Sequence, residues 1–485
     1  MIFRAPRSHP HTAAILCFGV SCLFPGAAQS RPEPAALFGD NAVLQRDTPV
    51  RIWGRADPGE PVVVRFHRVS AKATADADGN WQVMLPAPPR AIQGGSIQTE
   101  GSDLVFKGAS ETVISRNVVY GDVWLCSGQS NMEWSIRKAA NAVDEIAAAN
   151  YPGIRQFKVA GRSVGRPIAP HELAGHWVVC SPPTVGRDFT AVGYFFARDL
   201  HRRYNIPQGL VTSAWGGTTV EAWISEEAFD RHAISAVVQS GSENRRAPSG
   251  AFNAMIHPII GVGLRGILWY QGEANAREPD GYGALFRALI ADWRQRWESP
   301  ALPFLFVQLP NYGSTEGINW AQIRQGQASA LDLPATAMAV TIDLGEPRGI
   351  HPRNKQDVGH RLGLLARRTI FGEAVTAEGP RFLSATSEGS VARLRFGGTE
   401  TDGGQLVLRP PPPPDKIAFE LAGADSVFHP AGATLIDSEI QLRSEPVRVP
   451  KTVRYAFRNN PAPVLFNEAG LPAAPFVAGV SESNP

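Results

Sequence analysis

Residues 118–132 read VVYGDVWLCSGQSNM, an apolar run followed by a glycine turn and a polar segment. The apolar part, up to Cys126, predicts a buried β-strand, because it is short and bounded by turn residues. The residues from Asn131 onward predict a helix that extends to about residue 150. A buried strand that leads directly into a helix is typical of an α/β sheet, in which ligands bind beyond the carboxyl ends of the strands. Ser130 lies at that junction.

The same alternation of apolar strands and helices continues between about residues 115 and 375. Phe286, Leu289 and Trp293 recur at helical spacing, which supports one of these helices. Continuous apolar strands with intervening helices indicate a parallel sheet with helices on both faces, the α/β architecture. The predicted strands are residues 118–126, 209–215, 266–271, 303–309 and 337–343, and the predicted helices are 131–150, 281–297 and 354–370.

Shorter, alternating strands flank this region on both sides. Residues 49–54 (PVRIWG) and 61–66 (PVVVRF) read as strands separated by a turn, and residues 392–396 (ARLRF) read as a strand near the other end. Evenly spaced short strands favour a β-sandwich. The predicted segments are a signal peptide (1–30), an N-terminal β domain (31–114), an α/β domain (115–375) and a C-terminal β domain (376–485).

The composition is that of a globular protein, with 43% hydrophobic and 19% charged residues among 485. Arg4 and Arg7 of the leader account for the formal net charge of +2, so the rest is near neutral and we expect no nucleic-acid partner. The apolar part of the leader, residues 12–24, is too short to span a bilayer, and no membrane insertion is expected. The leader instead indicates export, to the periplasm or the extracellular space after cleavage.

Removal of the leader would leave Cys126 and Cys180 in an oxidising compartment. A disulfide between them and two buried, unpaired thiols are both consistent with the sequence. The chain has no CxxC pair, and residues 171–176 (HELAGH) miss the HExxH spacing of a zinc site. We therefore expect no metal and no other cofactor.

Residues with catalytic potential follow the predicted strands. Ser130 follows Gly128, where a tight turn would turn the serine amide toward an oxyanion, although a helix N-cap would also explain a serine there. Gly217 ends a Gly-Gly pair after the second strand, and such a pair lets a backbone amide approach a substrate. The polar run 271–275 follows the third strand, and clustered polar groups are costly in a core but expected in a site.

An acid and a histidine complete this pattern. Asp343 ends the last predicted strand, and His351 lies in the loop before the next helix. The chain order Ser130, Asp343, His351 favours a hydrolase with a nucleophile, an orienting carboxylate and a general base. The lipase motif GxSxG is absent, since Met132 stands at its second glycine.

Short sequence blocks that together resemble one known family are spread over nearly the whole chain after the leader. In the α/β region they are 128–132 (GQSNM), 215–217 (WGG), 269–275 (WYQGEAN) and 350–352 (IHP). Before it stand 40–46 (DNAVLQR) and 56–59 (ADPG), and after it 453–455 (VRY), 459–461 (NNP) and 470–472 (GLP). In this order they resemble the sialate O-acetylesterase family of the SGNH-hydrolase superfamily. That superfamily carries serine, glycine, asparagine and histidine in four separated blocks.

The resemblance implies an SGNH-type, flavodoxin-like parallel sheet and a secreted serine esterase that removes O-acetyl groups from sugars. Its substrate would be 9-O-acetyl sialic acid or a related acetylated glycan, deacetylated through an acetyl-enzyme. Matched residue by residue, Ser130 would be the nucleophile and His351 the general base. Gly217 and Asn275 would donate to the oxyanion together with the Ser130 amide. The sequence does not determine the oligomeric state.

Three neighbours of these residues are candidates for substrate binding, namely Gln129, Gln271 and Glu273. The acid of the triad departs from the superfamily pattern, because many SGNH enzymes place it three residues before the histidine and this chain has Arg348 there. Asp343 is the first candidate for the acid. The alternatives are Glu346 and a dyad oriented by a backbone carbonyl.

Other functions remain open at this point. The substrate could be acetylxylan or another acetylated polysaccharide. A glycosidase would use two carboxylates about 5 to 10 Å apart, and Glu133, Glu221 and Glu273 lie near strand ends. A non-catalytic carbohydrate-binding protein would use the flanking β domains.

Overall fold

The computed structural model describes residues 31–87, 101–234, 245–313, 317–397, 405–411 and 416–482. The predicted signal peptide lies outside these residues. The strands of the amino-terminal and central regions are β1 (Glu33–Pro34), β2 (Val43–Gln45), β3 (Val50–Arg55), β4 (Pro61–Phe66), β5 (Val69–Thr74), β6 (Asn80–Leu85), β7 (Ser102–Lys107), β8 (Thr112–Gly128), β9 (Tyr151–Lys158), β10 (Trp177–Cys180), β11 (Gln208–Ala214), β12 (Gly266–Tyr270), β13 (Phe304–Val307) and β14 (Thr336–Ala339).

A large mixed sheet lies at the centre of the molecule. Strands β9, β11, β8, β12, β13 and β14 are parallel neighbours in that order, and β10 pairs antiparallel with β9 at one edge. Every residue of β11, β12 and β13 is buried. Burial on both faces accounts for their continuous apolar sequences. The α/β class predicted from the sequence is therefore confirmed.

Helices cover this sheet. They are α1 (Ser130–Glu133), α2 (Ala142–Ala147), α3 (Pro182–Asp188), α4 (Ala191–Tyr204), α5 (Glu226–Arg231), α6 (Tyr282–Arg296), α7 (Trp320–Ala328) and α8 (Gln356–Thr369). Helices α4 and α8 pack closely at Gly359, where a Cβ atom would lie 2.6 Å from the Cβ of Phe195 and 3.0 Å from the carbonyl oxygen of Val192. This close packing anchors α8, which follows the loop that carries His351.

Strand β8 connects the N-terminal region to the central sheet. It is 17 residues long and runs through the predicted boundary between residues 114 and 115. Its first part pairs with β7, and its second part pairs with β2, β11 and β12. Leu37, Val62 and Trp81 belong to the same hydrophobic core as Trp124. The N-terminal strands and the α/β region are therefore packed together.

The C-terminal region has a second hydrophobic core, which includes Leu394, Leu421 and Tyr455. Its strands are β15 (Arg381–Glu388), β16 (Val391–Gly397), β17 (Leu406–Leu408), β18 (Phe419–Ala422), β19 (Phe428–Pro430), β20 (Gly432–Ile436), β21 (Glu439–Arg443), β22 (Thr452–Tyr455), β23 (Leu465–Asn467), β24 (Phe476–Gly479) and β25 (Ser481–Glu482). The buried Arg324 of α7 joins this region to the α/β region, because its guanidinium donates to the carbonyl oxygens of Arg458 and Asn459 at 2.8 and 3.0 Å.

The structure differs from the sequence prediction after Ser130. The predicted helix 131–150 is broken into α1, a 3-10 turn at Ile136–Lys138 and α2. Trp134 leaves the helical conformation with a ψ of 121°, and Asn141 takes the left-handed conformation with a φ of 53°. The break turns Trp134 toward the loop that carries His351. Cys126 and Cys180 are both buried and unpaired, which leaves the disulfide alternative unsupported.

None of the helices within the described ranges has the length and apolar character needed to cross a bilayer.

Candidate active site

Three parallel strands bring the candidate residues together. Gly128 at the end of β8 pairs with Ala214 of β11 on one side and with Tyr270 of β12 on the other. Because the three strands end in register, the segments that follow them meet at one edge of the sheet. These segments are residues 129–133, 215–217 and 271–275.

The turn before Ser130 depends on glycine. Gly128 has a φ of 129°, and a Cβ atom there would lie 2.2 Å from the carbonyl oxygen of Tyr270. Only glycine tolerates both the conformation and the close approach. The Gln129 amide then donates to the same carbonyl at 3.0 Å, and Ser130 begins helix α1. The turn thereby places Ser130 two residues beyond the carboxyl end of β8.

The structure brings Ser130 and His351 together. The Nε2 atom of His351 lies 2.8 Å from the Oγ atom of Ser130. The imidazole stacks on Trp134, with ring centroids 4.5 Å apart and planes inclined by 19°. Burial and the positive charges of Lys355 and Lys138 lower the pKa of His351. A lowered pKa keeps the imidazole neutral near neutral pH, the form in which Nε2 accepts a proton.

The predicted contact between Asp343 and His351 is not formed. Both carboxylate oxygens of Asp343 instead accept from the Arg361 guanidinium of α8, at 2.6 and 2.7 Å. Strand β14 ends at Ala339, before Asp343, so this residue lies in a loop that turns toward α8. Glu346 accepts at 2.8 Å from the Arg353 amide and also forms no bond with His351. Among the described residues, no carboxylate contacts the His351 ring.

Gly217 and Asn275 lie on the two other segments at this edge. Gly217 has a φ of 81°, and none of the described residues accepts a hydrogen bond from its amide. The Asn275 Oδ1 atom accepts from the Val220 amide at 3.0 Å and from Gln271 Nε2 at 2.7 Å. Its Nδ2 atom donates one hydrogen to Glu221 at 3.0 Å, which leaves a second hydrogen on that nitrogen.

The three residues predicted to bind substrate are buried. Gln129 Oε1 accepts from the amides of Gly272 and Ala274 at 3.4 and 3.1 Å. Gln271 donates to the Thr218 carbonyl and to Asn275. Glu273 accepts from Asn131 through Oε1, and its Oε2 has no partner within the described residues. These side chains join the segment after β12 to Gln129 and Asn131 of the segment after β8, and to Thr218, which follows Gly217.

Comparison with known proteins agrees with this arrangement. The family model for carbohydrate esterases described as sialic acid-specific acetylesterases matches residues 120–365. The sialate O-acetylesterase of Homo sapiens is 33% identical over 389 residues, covering 71% of this chain and 72% of the relative, and that of Rattus norvegicus is 33% identical over 413 residues, covering 71% and 75%. The chain belongs to the sialic acid-specific acetylesterase family. It is a carboxylic ester hydrolase that removes O-acetyl groups from sugars.

A solved structure supports the same conclusion about this acetylesterase. A carbohydrate acetylesterase from Xanthomonas citri is 38% identical and superimposes with a TM-score of 0.83, covering 92% of this chain and 99% of that one. The similarity therefore includes the flanking β regions as well as the segment that the family model matches.

Two residues of the acetylesterase site were not predicted from the sequence. Trp134 supports the imidazole by stacking, and Lys355 is fully buried with its Nζ atom 2.5 Å from Asn131 Oδ1. Burial lowers the pKa of Lys355 to about 7, although Glu273 and Glu346 oppose the shift. Lys355 lies at the start of the predicted helix 354–370, and nothing in its sequence context indicated burial.

Proposed function

We propose that this acetylesterase uses Ser130 as nucleophile and His351 as general base. The distance of 2.8 Å between Ser130 Oγ and His351 Nε2 is the observation that carries the proposal. It lies within the range over which a base removes a hydroxyl proton directly. The lowered pKa of His351 supports the same assignment, since the base must be neutral before it reacts.

In the first half of the reaction, the Ser130 hydroxyl attacks the carbonyl carbon of the acetyl ester while its proton moves to His351 Nε2. The negative charge that develops on the carbonyl oxygen needs hydrogen-bond donors. We assign these donors to the amides of Ser130 and Gly217 and to Asn275 Nδ2. The unengaged Gly217 amide and the second hydrogen of Asn275 support that assignment.

Collapse of the tetrahedral intermediate breaks the bond to the sugar oxygen, which takes the proton from His351 and leaves as a free hydroxyl. An acetyl group now esterifies Ser130. In the second half, His351 Nε2 takes a proton from a water molecule that attacks this ester. Acetate leaves when the Ser130 oxygen regains the proton, so the enzyme ends as it began.

The base acts in this proposal without an orienting carboxylate. Asp343 and Glu346 are engaged elsewhere, and stacking on Trp134 limits the tilt of the imidazole. We therefore propose a Ser130–His351 dyad rather than the triad with Asp343 expected from the chain order.

An O-acetylated sialic acid is the substrate that we propose, since the relatives are named sialate O-acetylesterases. Such a sugar carries a carboxylate, and Arg245 offers a cation near the nucleophile. Arg245 Nη1 donates to the Gly216 carbonyl at 3.0 Å, and its guanidinium lies 5.1 Å from the Trp215 ring centroid. A Cβ atom at Gly216 would lie 3.2 Å from Ser130 Cβ, so Arg245 is bonded to a residue that packs against the proposed nucleophile.

The test compares acetate release from O-acetylated sialic acid and from acetylated xylan, with Ser130→Ala as control. We expect faster release from the sialic acid, no release of reducing sugar, and a wild-type protein that gains the mass of one acetyl group during turnover. Faster release from xylan would assign the enzyme to neutral glycans. Activity that survives in Ser130→Ala would overturn the nucleophile assignment.

We also propose an SGNH-type arrangement for residues 115–375, with sandwich-like β domains at 31–114 and 376–485. The parallel strand order and the position of Ser130 at the carboxyl edge support the first part. The separate C-terminal core supports the domain at 376–485, whereas the strands of 31–114 share their core with the α/β region. Export to the periplasm or beyond the cell is proposed from the leader. Cell fractionation, with loss of residues 1–30 from the exported protein, tests it.

A further inference from the structure

The Asn131 carboxamide lies at the centre of a buried network beside the catalytic pair. Its Nδ2 atom donates to Glu273 Oε1 and, at 3.0 Å, to the carbonyl oxygen of Ile350. Its Oδ1 atom accepts from Lys355 Nζ at 2.5 Å. Asn131 and Lys355 are fully buried, and Glu273 is 8% exposed. Both hydrogens of the amide nitrogen are therefore used within the protein.

This network selects one orientation of the Asn131 amide. A flipped amide would place its oxygen against the Glu273 carboxylate and the Ile350 carbonyl, and its NH₂ group against the Lys355 amine. Buried polar groups that face like partners lose their hydrogen bonds at high cost. Lys355 and Glu273 thus enforce the orientation in which Asn131 can donate to Ile350.

The bond to Ile350 bears on catalysis because Ile350 directly precedes His351. A serine hydrolase normally fixes its histidine through a carboxylate at Nδ1. No such carboxylate contacts this histidine in the described chain, yet His351 Nε2 lies within hydrogen-bond distance of Ser130 Oγ. The backbone before His351 is held by Asn131, and the ring itself is held by Trp134.

We infer that Lys355 is a positioning residue, which acts through Asn131 to hold the His351 imidazole against the nucleophile. The inference rests on the proposed dyad and adds to it the means by which the base is held. A lysine suits this position because both its ammonium and its neutral amine can donate to Asn131 Oδ1. The hydrogen bond therefore survives when Lys355 loses its proton.

Lys355 also affects the charge of the site, so the test must separate charge from position. Glu273 and Glu346 act on Lys355, whose ammonium also lies 5.3 Å from the Tyr270 ring centroid. Lys355 and Lys138 both lower the pKa of His351. Lys138 is exposed, and its Nζ atom lies 4.9 Å from the Trp134 ring centroid. It forms no hydrogen bond with Asn131. It is the matched control.

The experiment measures kcat and KM for p-nitrophenyl acetate as a function of pH in Lys355→Met and Lys138→Met. Removing either charge raises the pKa of His351, so the acidic limb of kcat/KM moves to higher pH in both variants. We expect the alkaline plateau of kcat to fall about 10- to 100-fold in Lys355→Met, with little change in KM. In Lys138→Met the plateau stays within about twofold of wild type. A small acetyl ester excludes effects on glycan binding.

A plateau kcat within threefold of wild type in folded Lys355→Met would overturn the inference and leave Lys355 a purely electrostatic role. If that variant does not fold, Asn131→Leu provides the second test. Leucine has a similar volume but cannot accept from Lys355 or donate to the Ile350 carbonyl, so the same loss of kcat is expected. Full kcat in folded Asn131→Leu contradicts positioning through Asn131. Activity in Ser130→Ala would instead refute the dyad, which keeps the two failures distinct.

Discussion

Asp343 pairs with Arg361 through both of its carboxylate oxygens, at 2.6 and 2.7 Å. Both side chains are largely buried. The pair joins the loop after β14 to helix α8, which follows the loop that carries His351. Because the Asp343 carboxylate is bonded to Arg361, it stabilises the fold and does not contact the His351 imidazole.

The first prediction follows for Asp343→Asn. We expect kcat for p-nitrophenyl acetate to stay within about threefold of wild type. Losing one charged hydrogen-bond partner should lower the free energy of unfolding by about 1–3 kcal/mol, read as a lower melting temperature. The control is Asp357→Asn on the exposed side of α8, which should leave kcat unchanged and lower the melting temperature less than Asp343→Asn. A loss of kcat by orders of magnitude would instead restore Asp343 as the orienting acid.

The second prediction concerns the nucleophile. Ser130→Ala should lower kcat by at least about a thousandfold, because no other side chain is expected to accept the acetyl group. Ser127 is the matched control, since it is buried on β8 and its hydroxyl has no partner among the described residues. Ser127→Ala should keep kcat within about twofold. The acetyl-enzyme mass should persist in Ser127→Ala and vanish in Ser130→Ala, and the reverse result would exchange their roles.

The third prediction concerns the oxyanion donors. Removing one donor typically costs about 10²–10³ in kcat, and we expect that loss in Asn275→Ala. The effect should fall on kcat, because the donor is needed most when charge develops in the transition state. Circular dichroism must show a folded variant, since Asn275 also bonds Val220 and Gln271. A change confined to KM would make Asn275 a substrate-binding residue.

The fourth prediction is a pH dependence. The base must be neutral, so kcat/KM rises with pH through the pKa of His351. Burial, Lys355 and Lys138 lower this pKa, so the half-maximum should fall below the ordinary value of 6.5. Added salt screens exposed Lys138 and should move the half-maximum upward. A midpoint above 6.5 in the wild-type enzyme would indicate a carboxylate beside the ring and contradict the dyad.

The fifth prediction concerns substrate charge. Arg245→Gln should raise KM for O-acetylated sialic acid about tenfold and leave turnover of p-nitrophenyl acetate nearly unchanged. Arg245 is exposed, so the change should not affect folding. The comparison uses the same sugar with its carboxylate converted to a methyl ester, which should respond little to the substitution. Equal effects on both sugars would show that Arg245 does not recognise the carboxylate.

Several features of the site could be predicted from the sequence because they depend on local chemistry. Gly128 is required by the turn before Ser130, and residues after apolar strands must meet at the carboxyl edge of a parallel sheet. The break in the predicted helix 131–150 could not be predicted, because the apolar periodicity continues through Trp134. In the folded protein the Trp134 ring instead stacks on the His351 imidazole.

The sequence by itself determined the α/β class and the family, and it predicted that Ser130 and His351 act together, since blocks at strand ends carry them. Only the tertiary structure decided the partners of Asp343, Lys355 and Asn131. Hydrogen bonds and ion pairs act over a few ångströms, so the choice between Arg361 and His351 for one carboxylate depends on how a loop turns. That turn is set by the packing of α8 against the sheet and α4, which involves residues far apart in the chain.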